Sequence, residues 1–256
     1  MDMIFGGLPA WAFGLACVVT IFAGFVKGAV GFAMPLIMIA AFSSFMPPDT
    51  ALAAMILSLL TTNVHQSLRF GRRAAWESAV KYRRIIATTC AGIVISAPFV
   101  VVLPQQLLFA LLGVPVMGFA LMQLRGWAPV IPLRHRASAE YGLGLLGGLY
   151  GGISGIWGPP VIVYLLAIRA EKAEMVRVLG VVFMVGAVVL TAAHLGSGVL
   201  DAVTLPLSAA LVAPAALGMW LGFRMQDRLD PVRFRRWTLL VLILVALNLL
   251  RRAITG

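Results

Sequence analysis

The stretch Gly24-Phe25-Val26-Lys27-Gly28-Ala29-Val30-Gly31-Phe32-Ala33-Met34-Pro35 has a counterpart 124 residues later, Gly148-Leu149-Tyr150-Gly151-Gly152-Ile153-Ser154-Gly155-Ile156-Trp157-Gly158-Pro159. Gly24, Gly28, Gly31 and Pro35 fall on Gly148, Gly152, Gly155 and Pro159 at one constant offset. Both copies lie inside long apolar stretches. Backbone broken by glycine and proline is tolerated within a membrane only where it is packed in protein or lines a cavity. Two such breaks at matching positions of two halves point to a transporter's binding site.

The chain around them is 61% hydrophobic and 11% charged, with mean hydropathy +1.01. A soluble domain carries about 25% charged residues. Windows at 51–68, 85–103, 107–124, 176–195, 205–223 and 237–250 approach the roughly 20 apolar residues that span a bilayer. The last is short and can lengthen into its flanks. An all-α polytopic membrane protein is the fold class that follows. Net charge +11 would suggest nucleic acid in a soluble protein. Here the cations sit between apolar segments, so no nucleic-acid partner is expected. Cys17 and Cys90 fall in apolar segments and give neither a disulfide framework nor a metal spacing. Met1-Asp2-Met3-Ile4-Phe5 lacks a basic lead-in, so no cleaved signal peptide is expected.

Four clusters hold 17 of the 20 cations. They are Arg69, Arg72, Arg73, Lys81, Arg83 and Arg84; Arg125, Arg134 and Arg136; Arg169, Lys172 and Arg177; and Arg224, Arg228, Arg233, Arg235 and Arg236. The positive-inside rule places these loops in the cytoplasm and both termini in the periplasm. The chain then enters and leaves region 141–168 from one side. Its 28 residues would make a helix of about 42 Å, against a hydrocarbon core of about 30 Å. A helical hairpin broken at the glycine motif fits, either re-entrant or as two short helices. The first copy, 9–45, would fold back from the opposite face. The expected architecture is two inverted repeats, 1–128 and 129–256, each a Gly/Pro-broken hairpin plus three transmembrane helices. Parallel halves with one crossing per motif would put 224–236 outside, against the rule. The repeat extends further: Gly92-Ile93-Val94-Ile95-Ser96 resembles Gly218-Met219-Trp220-Leu221-Gly222, and Leu103-Pro104 matches Leu229-Asp230, at an offset of 126.

Glycines at i, i+4 and i+7 line one helix face, and their plain structural use is close helix packing. The prolines add a functional reading. Proline is favoured in the first helical turn, so Pro35 and the Pro159-Pro160 pair should open second half-helices. The glycines before them would then be turn residues beside free N–H groups and a positive dipole end, an anion site. Gly28, Gly31, Gly152 and Gly155 are candidate substrate-binding positions on this ground, and Ser154 could donate to an oxyanion. Lys27 is the one charged residue deep in an apolar segment, a functional hypothesis by default. The plain alternative is that it snorkels to an interface.

None of the nine acidic residues lies inside an apolar segment. Cation transport and carboxylate proton relays need such an acid, so the substrate should be anionic or neutral. Thr62 and Asn63, in the polar run Thr61-Thr62-Asn63-Val64-His65-Gln66, are the remaining candidate contacts; helix–helix hydrogen bonding is their plain use. Tyr150, Trp157 and Tyr164 could wall a cavity or serve as interfacial aromatics. His194 has no cysteine or acidic companion, so no metal or other cofactor is expected.

At these motifs the chain resembles the TauE/SafE family of sulfite-exporter-like membrane proteins. The likeness rests on Gly24-x3-Gly28-x2-Gly31-x3-Pro35, its copy Gly148-x3-Gly152-x2-Gly155-x3-Pro159, and the basic loop after the second segment. The resemblance implies a non-enzymatic exporter of sulfite, sulfonates or related organosulfur anions in the bacterial cytoplasmic membrane. Its partners would be a small anionic substrate and the lipid bilayer, and association as a homodimer is compatible with it. The expected mechanism is alternating access around a midplane site. A channel-like anion pore and a non-transporting scaffold or assembly protein are the rival readings. No Ser/His/Asp set, His-Glu-x-x-His motif or paired intramembrane carboxylates support an enzyme.

Overall fold

A computed structural model describes residues 7–126, 132–225 and 231–255. The elements they form are helices, with no strand among the described residues. Arg228 and the Leu229-Asp230 pair lie outside the described residues. Helix α1 (Ala10–Val30) is almost wholly apolar and ends where Gly31 turns left-handed at φ 87°, its N–H returning to Lys27 O at 2.7 Å. After two more residues, α2 (Met34–Phe42) begins with Pro35 in its first turn. The second copy follows the same plan. Helix α7 (Arg136–Ser154) ends at Gly155, φ 70°, whose N–H returns to Gly151 O at 2.7 Å. Helix α8 (Gly158–Ala167) then opens on Pro159 and Pro160.

The sequence leaves a re-entrant hairpin or two short helices open for 141–168; the arms of each break are unequal. The first arms have 21 and 19 residues, the second arms nine and ten. A ten-residue helix is about 15 Å long, half the hydrocarbon core. Of the repeated glycines only Gly31 and Gly155 make the turn, because the earlier ones are held helical by packing. A side chain at Gly24 would lie 2.6 Å from Ala215 O, and one at Gly28 would strike Met219 O. In the second copy, Gly148 faces Thr89 O and Gly152 faces Ile93 O at 2.6 Å. The first pair crosses α11 (Val212–Met225) and the second crosses α5 (Arg83–Ser96). The partners Thr89 and Ile93 correspond to Ala215 and Met219 at the offset of 126 that relates Gly92 to Gly218.

The other windows are helical with two amendments. Windows 51–68, 107–124, 176–195 and 237–250 lie within α3 (Pro48–Leu68), α6 (Gln105–Leu124), α9 (Lys172–Ser197) and α12 (Pro231–Thr255). Window 85–103 is α5 followed by a tighter 3-10 turn at Ala97–Val101, where Pro98 removes a donor. Window 205–223 is split at Leu211 between α10 (Thr204–Ala210) and α11. The basic loop after α3 contains a further helix, α4 (Arg72–Lys81). Its Arg, Ala, Glu and Lys residues favour a helix despite their charge, and Arg73 pairs with Glu77 one turn on at 3.0 Å.

Among the described residues, six helical segments are long and apolar enough to cross a membrane: Ala10–Ala29, Pro48–Leu68, Arg83–Val101, Gln105–Leu124, Ala173–Ser197 and Thr204–Met225. Gly158–Ala167 is a shorter apolar helix. The most extensive packing joins α5 to α7, α1 to α11, α6 to α12 and α3 to α9. Each pair takes one helix from either side of the mid-chain. Helix α3 is the most enclosed of the spans, 67% buried along its window, and it carries the polar run toward both breaks.

Candidate functional site

Lys27 sits one turn before the end of α1, with its side chain 1% exposed. Its ammonium donates to Thr62 Oγ1 at 2.9 Å and to Asn63 Oδ1. Thr62 in turn donates to Ser58 O at 2.6 Å, within its own helix. Asn63 Nδ2 donates to Phe183 O on α9 at 3.1 Å. Two adjacent residues of α3 thus tie the end of α1 to α9. Gln66 Nε2 completes the set by donating to Gly31 O at 3.0 Å, satisfying a carbonyl freed where the helix stops.

These groups border a small cavity between the two breaks. It is lined by Lys27, Phe32 and Pro35 from the first, by Gly155, Trp157 and Gly158 from the second, and by Leu59, Asn63 and Phe183. Its free volume is about 20 Å³, room for about one water. Aromatic rings close it: Trp157 meets Phe183 edge-on at 6.2 Å, and Phe32 meets Phe119 edge-on at 6.3 Å. No carboxylate lines it. The wall therefore offers one cation, one amide and apolar surface, with both half-helix starts alongside.

The expected site residues divide by position. Lys27, Thr62, Asn63, Gly155 and Pro35 come together at or just behind this cavity. Gly31 adjoins it through Gln66. Gly28 and Gly152 lie instead at the crossings with α11 and α5, facing backbone. Ser154 is also turned inward: its hydroxyl donates to Tyr150 O at 2.7 Å and accepts the Ile156 N–H at 3.1 Å. It closes the break locally. Pro159 and Pro160 open α8, and the ring of Pro160 lies against Gly147.

Some participants have no signal in the sequence. Phe183 and Leu59 wall the cavity but are ordinary apolar residues of apolar helices. Trp157 was a candidate wall, and it lines the cavity; its indole N–H is buried without an acceptor among the described residues. Tyr164 lies elsewhere, fully buried and donating to Glu140 at 2.5 Å. Glu140 falls at the end of an apolar segment, yet it is buried. His194 Nε2 contacts Gly152 O at 2.9 Å.

Helices of membrane-spanning length, packed around an enclosed lysine between two interrupted helices, define a multi-pass membrane protein with an internal polar site. A model of the family "Sulfite exporter TauE/SafE" matches residues 16–249. The chain belongs to the TauE/SafE family, a family of membrane transporters rather than enzymes. No curated protein and no solved structure matches the chain.

Proposed function

We propose that this transporter exports a small sulfur-containing or organic anion, such as sulfite or a sulfonate, by alternating access at the cavity between the two breaks. The observation that carries the reading is Lys27: a buried cation with two neutral partners and no carboxylate beside it. Burying a charge is costly unless it is paired. An anion entering the cavity supplies the missing counter-charge. It would compete with Asn63 for the ammonium and gain the dipole ends at Pro35 and Pro159. With room for about one water, the cavity must widen to admit a multi-atom anion, which favours a carrier over an open pore.

We read the chain as two inverted repeats, 1–128 and 129–256, with the basic loops cytoplasmic and both termini periplasmic. The recurrence of the Gly24–Ala215 and Gly28–Met219 crossings as Gly148–Thr89 and Gly152–Ile93 supports the repeat. The distribution of the cations supports the orientation. Outward movement of a monovalent anion from a negative interior gains about 2.3 kcal/mol per 100 mV, so the potential can drive export without a second ion.

A thermal-shift screen tests the site. The detergent-purified protein is heated with sulfite, sulfate, thiosulfate, sulfoacetate, taurine or simple carboxylates. A ligand at 100 times its Kd adds about 2.7 kcal/mol of apparent stability. A shift with one sulfur anion in the wild type, absent in Lys27→Ala, is the expected result. An equal shift in Lys27→Ala would remove the lysine from the site. In vesicles, trans-stimulated exchange separates the carrier from a pore.

A further inference from the structure

A second cavity, of about 480 Å³, shares no residue with the central one and is lined by Val80, Lys81, Arg83, Arg84, Arg136 and Glu140. It is framed by the end of α4, the start of α5 and the start of α7. Four cations face a single carboxylate in this lining. Glu140 is already committed, accepting from Tyr164 Oη at 2.5 Å and from Arg136 Nε at 3.2 Å. Arg84 Nη1 stands 3.8 Å from its other oxygen. Lys81 is drawn to Glu174 at 2.5 Å. Arg83 is exposed and has no hydrogen bond or ion pair among the described residues. A guanidinium carries five N–H donors in a fixed fork suited to phosphate, so most of the donors around this cavity are unused.

The surroundings indicate what brings the anion. On α4, Trp76 is 71% exposed, and exposed tryptophan marks the headgroup level of a membrane. Directly after Glu140, Tyr141 and Leu145 are exposed one turn apart on α7, and Val94 is exposed further along α5. Exposed apolar residues thus follow the cavity residues along each of the two crossing helices, a stripe on each. Basic pockets between transmembrane helices on the basic side of a membrane suit anionic headgroups. We propose that this cavity binds the phosphate of an anionic phospholipid through Arg83, Arg84 and Arg136, with Lys81 at its rim and the acyl chains along Tyr141, Leu145 and Val94. A soluble phosphate compound shares the headgroup chemistry but makes no use of the stripe.

Native mass spectrometry of the full-length protein, offered equal amounts of phosphatidylglycerol and phosphatidylcholine, tests this. The wild type should retain phosphatidylglycerol preferentially. Each cation removed should weaken that retention about fivefold, the contribution of one basic residue at a charged membrane surface. Arg83→Gln is the safe variant, because Arg83 has no partner to lose; Arg83→Gln with Arg84→Gln should remove the preference. Arg73→Gln, on α4 but outside the cavity, should retain it. Equal retention of the two lipids by the wild type, or an equal loss in Arg73→Gln, would overturn the proposal. Displacement of the lipid by inorganic phosphate, but not by chloride at matched ionic strength, would overturn the lipid assignment and give the site to a soluble phosphate compound.

Discussion

Gly24 and Gly14 lie on the same helix, and replacing each with alanine should separate two effects of one methyl group. At Gly14 nothing lies within 4 Å of the added carbon. At Gly24 it would meet Ala215 O at 2.6 Å and Met219 N at 3.1 Å, both backbone atoms of α11. Ordinary contact needs about 3.4–4 Å, as between packed carbons. The α1–α11 crossing must therefore open by close to 1 Å, and neither backbone atom can swing aside as a flexible side chain would. Overpacking of this kind costs about 1–3 kcal/mol. The substitution also improves helix propensity by about 1 kcal/mol, but it does so in both variants. Their difference isolates the crossing. At about 2–4 °C per kcal/mol for a chain of this size, Gly24→Ala should melt roughly 2–12 °C below Gly14→Ala. The assay is thermal unfolding of the two purified variants in one detergent at one scan rate. Identical melting would refute the packing argument for all four crossing glycines.

Ser154→Ala should destabilise by about 1 kcal/mol, since it leaves the Ile156 N–H without its acceptor at the break; the same thermal assay reads it. Tyr164→Phe removes one of the donors to buried Glu140, which keeps Arg136, and should cost about 1.5–3 kcal/mol, the net contribution of a hydrogen bond to a charged group. Lys27→Met should stay folded while losing anion-dependent thermal shifts; unaltered shifts would count against an ionic site. Asp201 accepts from the Thr204 N–H and hydroxyl and from the Val203 N–H, which holds its carboxyl below the usual range. A depressed folded value means that its stabilisation is present above the unfolded pKa and lost as pH falls through the folded one. The melting gap between the wild type and Asp201→Ala should therefore be open at neutral pH and close on acidification below about pH 4.

Glycine and proline spacing carried the breaks because the backbone itself demanded them. Left-handed φ at Gly31 and Gly155, and proline in the next helical turn, are local requirements that local sequence can express. Lys27, Thr62 and Asn63 were legible for a related reason, since polar groups in an apolar helix need partners and these find one another. The position of Gly28 and Gly152 was harder to read. A glycine that lets two helices touch and a glycine that bares backbone to a ligand look identical in sequence. Only the presence of Met219 and Ile93 across the crossing separates them. Phe183 was invisible because it is apolar among apolar neighbours, and its role comes from where α9 passes. Helix α4 was read as loop because its charges outweighed its helix-forming composition.

The cross-pairing of helices also sets an order of events during synthesis. The glycine face of α1 needs Ala215 and Met219 for its close contact, and those residues are made about 190 positions later. At about 5–20 residues per second, α1 waits roughly ten to forty seconds in the membrane before its partner is polymerised. During that interval its bare glycine stripe is open to lipid, to the insertion machinery or to the same stripe on another nascent chain. Helix α7 has no such wait, because α5 precedes it. The two crossings are alike in geometry and opposite in timing, so of the two glycine-faced helices the earlier-made one is exposed to mispairing.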